Sequence, residues 1–185
     1  MATEEGATFF DRFPKEPNGI DILDVNNLLD FMHNIIVFCD MQGAALFPVK
    51  SDVSGNMHKV RNACERLNVC TIDEMLAKEQ ETGIAKRDSS GSVGILWLSR
   101  TVDLILESMV EFLKCPDEKM SNLVRIAYER TLKPYHSRVM ALLFSGGLRI
   151  FPDTNTFLLN LAYNKPNMNE KVIGFYVYVA ELNNF

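Results

Sequence analysis

An all-α fold is what this sequence predicts, and three observations carry that reading. Apolar residues recur at three- and four-residue intervals over several long segments. Gly, Pro and Ser clusters separate those segments, as helix breaks require. The one stretch with strand propensity, Val177–Val179, has no hairpin partner in its flanks and is read with the helices. With 185 residues, 47% hydrophobic and 23% charged, the chain fits one domain with a substantial core. That domain is expected to span residues 20–185, after an irregular leader over 1–19 that contains Pro14, Pro17 and Gly19.

Taken in order, the leader carries Phe9, Phe10 and Phe13, which would dock it on the body. From Asp21 to Asp40, Leu23, Leu28, Leu29, Met32, Ile35, Ile36 and Cys39 follow helical spacing, and Phe31 and Phe38 widen the stripe. Gly43 and Pro48 bracket a break, after which a helix through Asp52 runs to about Leu67. Thr71 and Glu74 form a capping box for a short helix ending near Gly83. Residues 86–92, KRDSSGS, read as a loop. Val93–Lys114 is the most apolar segment, a central helix. Pro116 suits the first turn of the next helix, which continues through Tyr128. Pro134 interrupts the path before Tyr135 and His136. Val139, Leu142, Leu143 and Phe144 resume the pattern, and two more helices follow over Thr154–Tyr163 and Asn169–Leu182.

The net charge of −5 argues against broad binding to nucleic acid or to an anionic membrane. The acidic N-terminus has no signal-peptide core, and no apolar run reaches the length of a membrane span. Cys39, Cys64, Cys70 and Cys115 lack CxxC spacing, so buried, reduced thiols are expected and neither zinc nor a disulfide framework. No cofactor motif is present. These features are those expected of a cytoplasmic protein.

Asp52, Asn56 and Lys59 stand at i, i+4 and i+7, and so share one helix face. An acceptor, an amide and a cation in a row suit a neutral, hydroxyl-rich group; a solvated face gives the same pattern. Trp97, the sole tryptophan, fits a core anchor or a flat platform for a sugar ring. Arg100 beside it would cover that site or form a surface ion pair. His136 is directed inward by the kink, either as a structural imidazole or as a donor to a ligand carbonyl. His33 and His58 have no metal-ligand spacing with it. Asp52 and His136 are an acid–base pair only in principle, since no nucleophile elbow, phosphate loop or metal motif accompanies them.

Three motifs in order, Asp52–Lys59 (DVSGNMHK), Leu96–Arg100 (LWLSR) and Ala127–His136 (AYERTLKPYH), together with AELN at Ala180–Asn183, resemble the glycolipid transfer protein family from about Ile20 onward. The resemblance implies a single-domain, two-layer helical sandwich enclosing a hydrophobic lipid pocket, and a carrier, not an enzyme. Transient association with membranes is an expectation that rests on this resemblance, not on composition. It further implies that Asp52, Asn56 and Lys59 bind the first sugar and the lipid amide, that Trp97 stacks on the sugar, and that His136 meets the ceramide acyl carbonyl. Family members that carry ceramide phosphate have a cationic residue at the position of Asn56 and arginine at that of Trp97. Asn56 with Trp97 therefore points to glycosphingolipid as ligand. Arg138 and Asn184 depart from the animal glycolipid carriers, which bears on membrane docking and pocket closure. The FFD segment, Phe9–Asp11, resembles the FFAT-like peptides that bind VAP proteins, which would make the protein a lipid sensor or adaptor. Transfer of a related sphingolipid such as ceramide phosphate is the other alternative.

Shelter for two lipid chains costs nothing extra relative to the bilayer, since hydrocarbon meets hydrocarbon in both. In water the same chains cost about 0.8 kcal/mol per methylene, on the order of 20 kcal/mol in all. Chain burial therefore permits transfer, and the headgroup must select, at roughly 1 kcal/mol per satisfied hydrogen bond. Phe38, Val49, Leu104, Leu132, Phe144 and Phe157 are the candidate pocket lining, with ordinary core packing as the alternative for each.

Overall fold

Asp24 starts the first helix by turning its carboxylate back on the chain, where Oδ1 accepts the N–H groups of Asn26 (2.9 Å) and Asn27 (3.0 Å). The computed structural model describes residues 8–12 and 23–165. Among these it has seven α-helices: α1 (Val25–Met41), α2 (Phe47–Leu67), α3 (Ile72–Glu81), α4 (Gly91–Lys114), α5 (Met120–Arg130), α6 (Arg138–Arg149) and α7 (Thr154–Leu161). The all-α reading holds. The described chain divides into two units, one of residues 8–12, 38–48 and 102–165, the other of 23–37 and 49–101.

In the second unit, Leu29 and Met32 of α1, Val53, Val60 and Ala63 of α2, and Met75 of α3 are fully buried. A single antiparallel bridge joins Asp24 to Thr71, with the Val25 N–H donating to the Cys70 carbonyl (3.0 Å) and the Ile72 N–H to that of Leu23 (2.7 Å). The bridge places the starts of α1 and α3 side by side. Thr71 caps α3 as its sequence demands, its hydroxyl accepting the Glu74 N–H at 3.4 Å. The helix stops before Gly83, whose φ of +68° is the left-handed conformation that glycine adopts without strain.

In the first unit, a 3-10 turn, Phe9–Arg12, buries Phe9 and Phe10. Phe9 meets Phe38 with ring centroids 5.8 Å apart, and Phe38 meets Phe157 edge-on at 6.0 Å. Tyr128 stacks on Phe144 at 3.8 Å. Arg130 of α5 bridges Glu107 and Glu111 of α4, at 2.7 Å to each. The Met120 N–H at the start of α5 donates to the Thr154 hydroxyl (3.1 Å), and Asp153 caps α7 through the Thr156 N–H.

Several local expectations differ. Pro48 lies inside the first turn of α2, where a missing N–H leaves nothing unpaired, so the break is the work of Gly43 at φ +76°. Pro116 does not open α5; it sits in the turn between Lys114 and Met120, and the helix begins four residues later than the proline. Only Cys39 and Cys64 are buried, since Cys70 falls in the turn before α3 and Cys115 just past the end of α4, both exposed. The helix expected over Asn169–Leu182, the Ala180–Asn183 motif and Asn184 lie outside the described residues. Among those described, no helix is long and apolar enough to cross a membrane.

Candidate functional site

Asp52, Asn56 and Lys59 share one face of α2, alongside the stripe through which Val53 and Val60 are buried completely. Asparagine inside a helix tends to turn its amide toward nearby backbone, and Asn56 does so. Its Nδ2 donates to the Asp52 carbonyl at 2.9 Å and to the Asp52 carboxylate at 3.0 Å. Asn56 is buried while Asp52 and Lys59 are half-buried. The amide thus holds an acceptor in a fixed direction at the edge of solvent. One turn on, the Lys59 ammonium lies 3.5 Å from the Asp88 carboxylate, which comes from the loop before α4.

Helix α4 approaches this face through Gly94. A Cβ there would lie 2.9 Å from the Asn56 carbonyl oxygen, 3.0 Å from Val60 Cγ2 and 3.2 Å from Lys59 Cβ. Only glycine allows the two backbones so close. Trp97 stands three residues along, on the same side of α4 as Gly94. Its indole is half-buried, and the Arg100 guanidinium lies over the ring, 4.9 Å from the centroid.

The start of α4 is fixed from α3 by Glu79, which is fully buried. Its carboxylate accepts the Gly91 N–H (3.0 Å), the Ser92 N–H (2.8 Å), the Ser92 hydroxyl (2.8 Å) and Arg66 Nη2 (3.1 Å). Burial pushes the carboxyl pKa up, but the Ser92 and Gly91 hydrogen bonds and the Arg66 charge outweigh it and hold the group below the ordinary glutamate range. An anion at a helix N-terminus also suits the helix dipole.

His136 belongs to the other unit. The 3-10 turn Lys133–Tyr135, with Pro134 inside it, ends at His136, whose Nδ1 lies 3.0 Å from the Tyr128 hydroxyl. Burial raises the Tyr128 pKa, so its hydroxyl keeps the proton. A neutral tyrosine hydroxyl can donate to or accept from that nitrogen, so either imidazole tautomer makes this bond; the one that accepts at Nδ1 has its proton on Nε2, where it can donate to a carbonyl. Leu104, Leu132, Phe144 and Phe157 are buried in the same unit, and Phe38 is half-buried between Phe9 and Phe157. Val49 lies in the second unit, half-buried near the start of α2. Among the described residues no group of His, Cys, Asp and Glu is arranged to hold a metal ion.

The structure therefore gathers Asp52, Asn56, Lys59 and Trp97 in one unit. Sequence reasoning missed Gly94, Glu79 and Asp88. The small residues Gly91 and Gly94, three apart at the head of an apolar helix, were the one available signal of close helix contact. Glu79 and Asp88 leave no local signature, because their partners are remote in sequence.

A profile of the family described as glycolipid transfer protein (GLTP) matches residues 23–163. The chain is 26% identical over 184 residues to a glycolipid transfer protein of Aureobasidium melanogenum, covering 97% of this chain and 89% of that one. It is 28% identical over 150 residues to glycolipid transfer protein 3 of Arabidopsis thaliana, covering 80% of this chain, and spans 64% of the length of that relative. Among solved structures, the fungal glycolipid transfer protein HET-C2 superposes with a TM-score of 0.72 at 22% identity, covering 96% of this chain and 89% of that one. Human ceramide-1-phosphate transfer protein, in complex with 12:0 ceramide-1-phosphate, gives 0.73 at 15% identity, covering 94% and 86%.

Proposed function

Because the chain belongs to the glycolipid transfer protein family, we propose that it is a nonvesicular carrier of glycosphingolipids between membranes. The fold is common to proteins named for glycolipid and for ceramide phosphate, so ligand class rests on side chains. The observation that carries the sugar reading is the Asn56–Asp52 pair, an amide and an oriented carboxylate where a phosphate carrier needs cations, with the Trp97 ring on the adjoining helix. A sugar offers hydroxyls to the one and an apolar face to the other. His136 would donate to the acyl carbonyl, and Phe38, Val49, Leu104, Leu132, Phe144 and Phe157 would meet the chains. No covalent step is involved.

Contact with a membrane is supported by α6. Tyr135, Val139, Leu142, Leu143 and Ile150 recur at helical spacing and are all exposed, with Arg138 at the head of the helix. Gly147 packs against the Ala45 carbonyl, which brings exposed Phe47 toward the same helix. An apolar stripe of this kind is the form taken by a surface that lies on lipid. The VAP-type partner read from Phe9–Asp11 draws no such support, because binding there would first have to withdraw two buried phenylalanines.

The test is exchange between phosphatidylcholine vesicles containing glucosylceramide or ceramide 1-phosphate. Glucosylceramide is expected to move faster, with the emission of the sole tryptophan shifting as the sugar covers it. Trp97→Ala should abolish that transfer in a folded protein. Faster movement of the phosphate lipid would overturn the ligand assignment.

A further inference from the structure

We propose that Asp88 is a specificity-determining residue: by pairing with Lys59 it offsets part of the ammonium's charge on the headgroup face and biases the site against a phosphate. This rests on reading Asp52, Asn56 and Lys59 as the headgroup face. A lone lysine there would draw an anionic lipid phosphate more strongly than a neutral sugar hydroxyl, since an ammonium is a point charge with no geometric preference. The 3.5 Å pair with the exposed Asp88 carboxylate offsets part of that attraction.

The carboxylate is exposed, yet the backbone that carries it is pinned on both sides. The Ile84 and Ala85 N–H groups donate to the Glu79 carbonyl (3.0 and 3.1 Å), and the Arg87 N–H donates to the Ile84 carbonyl (2.9 Å). Beyond Asp88, the Ser90 N–H donates to the Arg87 carbonyl (2.9 Å), while its hydroxyl donates to the Ala85 carbonyl (2.9 Å) and accepts the Val93 N–H (3.0 Å). Ser90 is itself buried, at 2% exposure. Asp88 therefore projects from a short arch with both feet fixed, and Lys59, only half-exposed, lies within its reach.

Charge bookkeeping agrees. Asp88 sets a negative charge beside Lys59, on a face that also carries Asp52 and, over Trp97, the Arg100 guanidinium. Loss of Asp88 takes that negative charge away and makes the face more positive by one unit. Because the pair is partly solvated, the expected change is about fivefold in preference, not several orders of magnitude.

The experiment measures lipid bound at equilibrium by the full chain from phosphatidylcholine vesicles doped equally with glucosylceramide or ceramide 1-phosphate. Asp88→Asn should raise the phosphate-to-sugar ratio about fivefold at low salt, with the gain shrinking as ionic strength rises. Asp73→Asn, an equal charge change on exposed α3 surface, should leave the ratio where it was. Lys59→Ala should lower glucosylceramide loading and cancel the effect of Asp88→Asn in the double variant. An unchanged ratio in Asp88→Asn, with Lys59→Ala still impaired, overturns the role of Asp88 and leaves the headgroup face standing. Normal glucosylceramide loading by Lys59→Ala overturns the headgroup face and the proposal with it.

Discussion

Asn56 donates from one amide nitrogen to both the carbonyl and the carboxylate of Asp52, at 2.9 and 3.0 Å. The pair is a small orienting device: a buried residue spends its donors on holding a half-buried one still. A carboxylate so held can meet a sugar hydroxyl without first losing rotamer freedom, which is what pre-organisation contributes to affinity.

Asn56→Ala should leave the helix intact, since alanine has the higher helix propensity. It should nonetheless slow glucosylceramide transfer about tenfold, as hydrogen bonds to a charged group are worth roughly 1.5–3 kcal/mol. Vesicle transfer read beside far-ultraviolet circular dichroism checks both halves of that statement.

Gly94→Ala is the more damaging change, though it adds a single methyl. The new carbon would sit 2.9 Å from the Asn56 carbonyl oxygen, an atom of backbone that cannot step aside. Forced separation of α4 from α2 should cost about 1–3 kcal/mol and lower the thermal midpoint by several degrees. The tryptophan emission should change as well, because Trp97 lies one turn from the displaced contact.

The buried Glu79 gives stability a defined pH dependence. Its folded-state pKa lies below the unfolded value of about 4.3, so its contribution is complete above that pH. As acidity carries the solution down through the folded pKa, the contribution is lost. Glu79→Gln should remove this component and destabilise the neutral protein by about 2–3 kcal/mol, because an amide cannot accept all four donors and no longer pairs with Arg66. Urea denaturation of both proteins from pH 7 to pH 3 would show the wild-type curve falling toward that of the variant.

Leu142→Glu tests the proposed membrane face. The side chain is 73% exposed, so the substitution should change folding stability by less than about 0.5 kcal/mol. Sedimentation with phosphatidylcholine vesicles should weaken about tenfold or more, the expected loss of an inserted leucine. Undiminished sedimentation would remove α6 from the contact.

How much of this was legible in the sequence differs by level. Helices α1, α2 and α4 announce themselves because each buries apolar residues at 3.6-residue spacing, which is a local pattern; α6 has the same spacing, although it buries only Phe144 and leaves Val139, Leu142 and Leu143 exposed. Pro116 misled because proline is equally at home in a turn and at the head of a helix, and only packing decides. The Asp52–Asn56–Lys59 face was readable for the same reason as the helices: it is periodic. What sets that face against α4 was not. Gly94 reads locally as a weak helix former, and its value appears only when Asn56 and Val60 are seen where its side chain would be. Glu79 and Asp88 were hidden more thoroughly, since each acts on residues that chain folding alone brings near.

The clamp at the head of α4 has a practical side. Glu79 takes hold of Gly91 and Ser92 mainly by their peptide hydrogens, which every residue but proline supplies. The stretch from Lys86 to Ser89 is consequently bounded by posts that use nothing of it but the backbone N–H and carbonyl of Arg87. Anyone wishing to retune which lipids are loaded has, in those few residues, a cassette that can be exchanged without unseating the helix that bears the tryptophan.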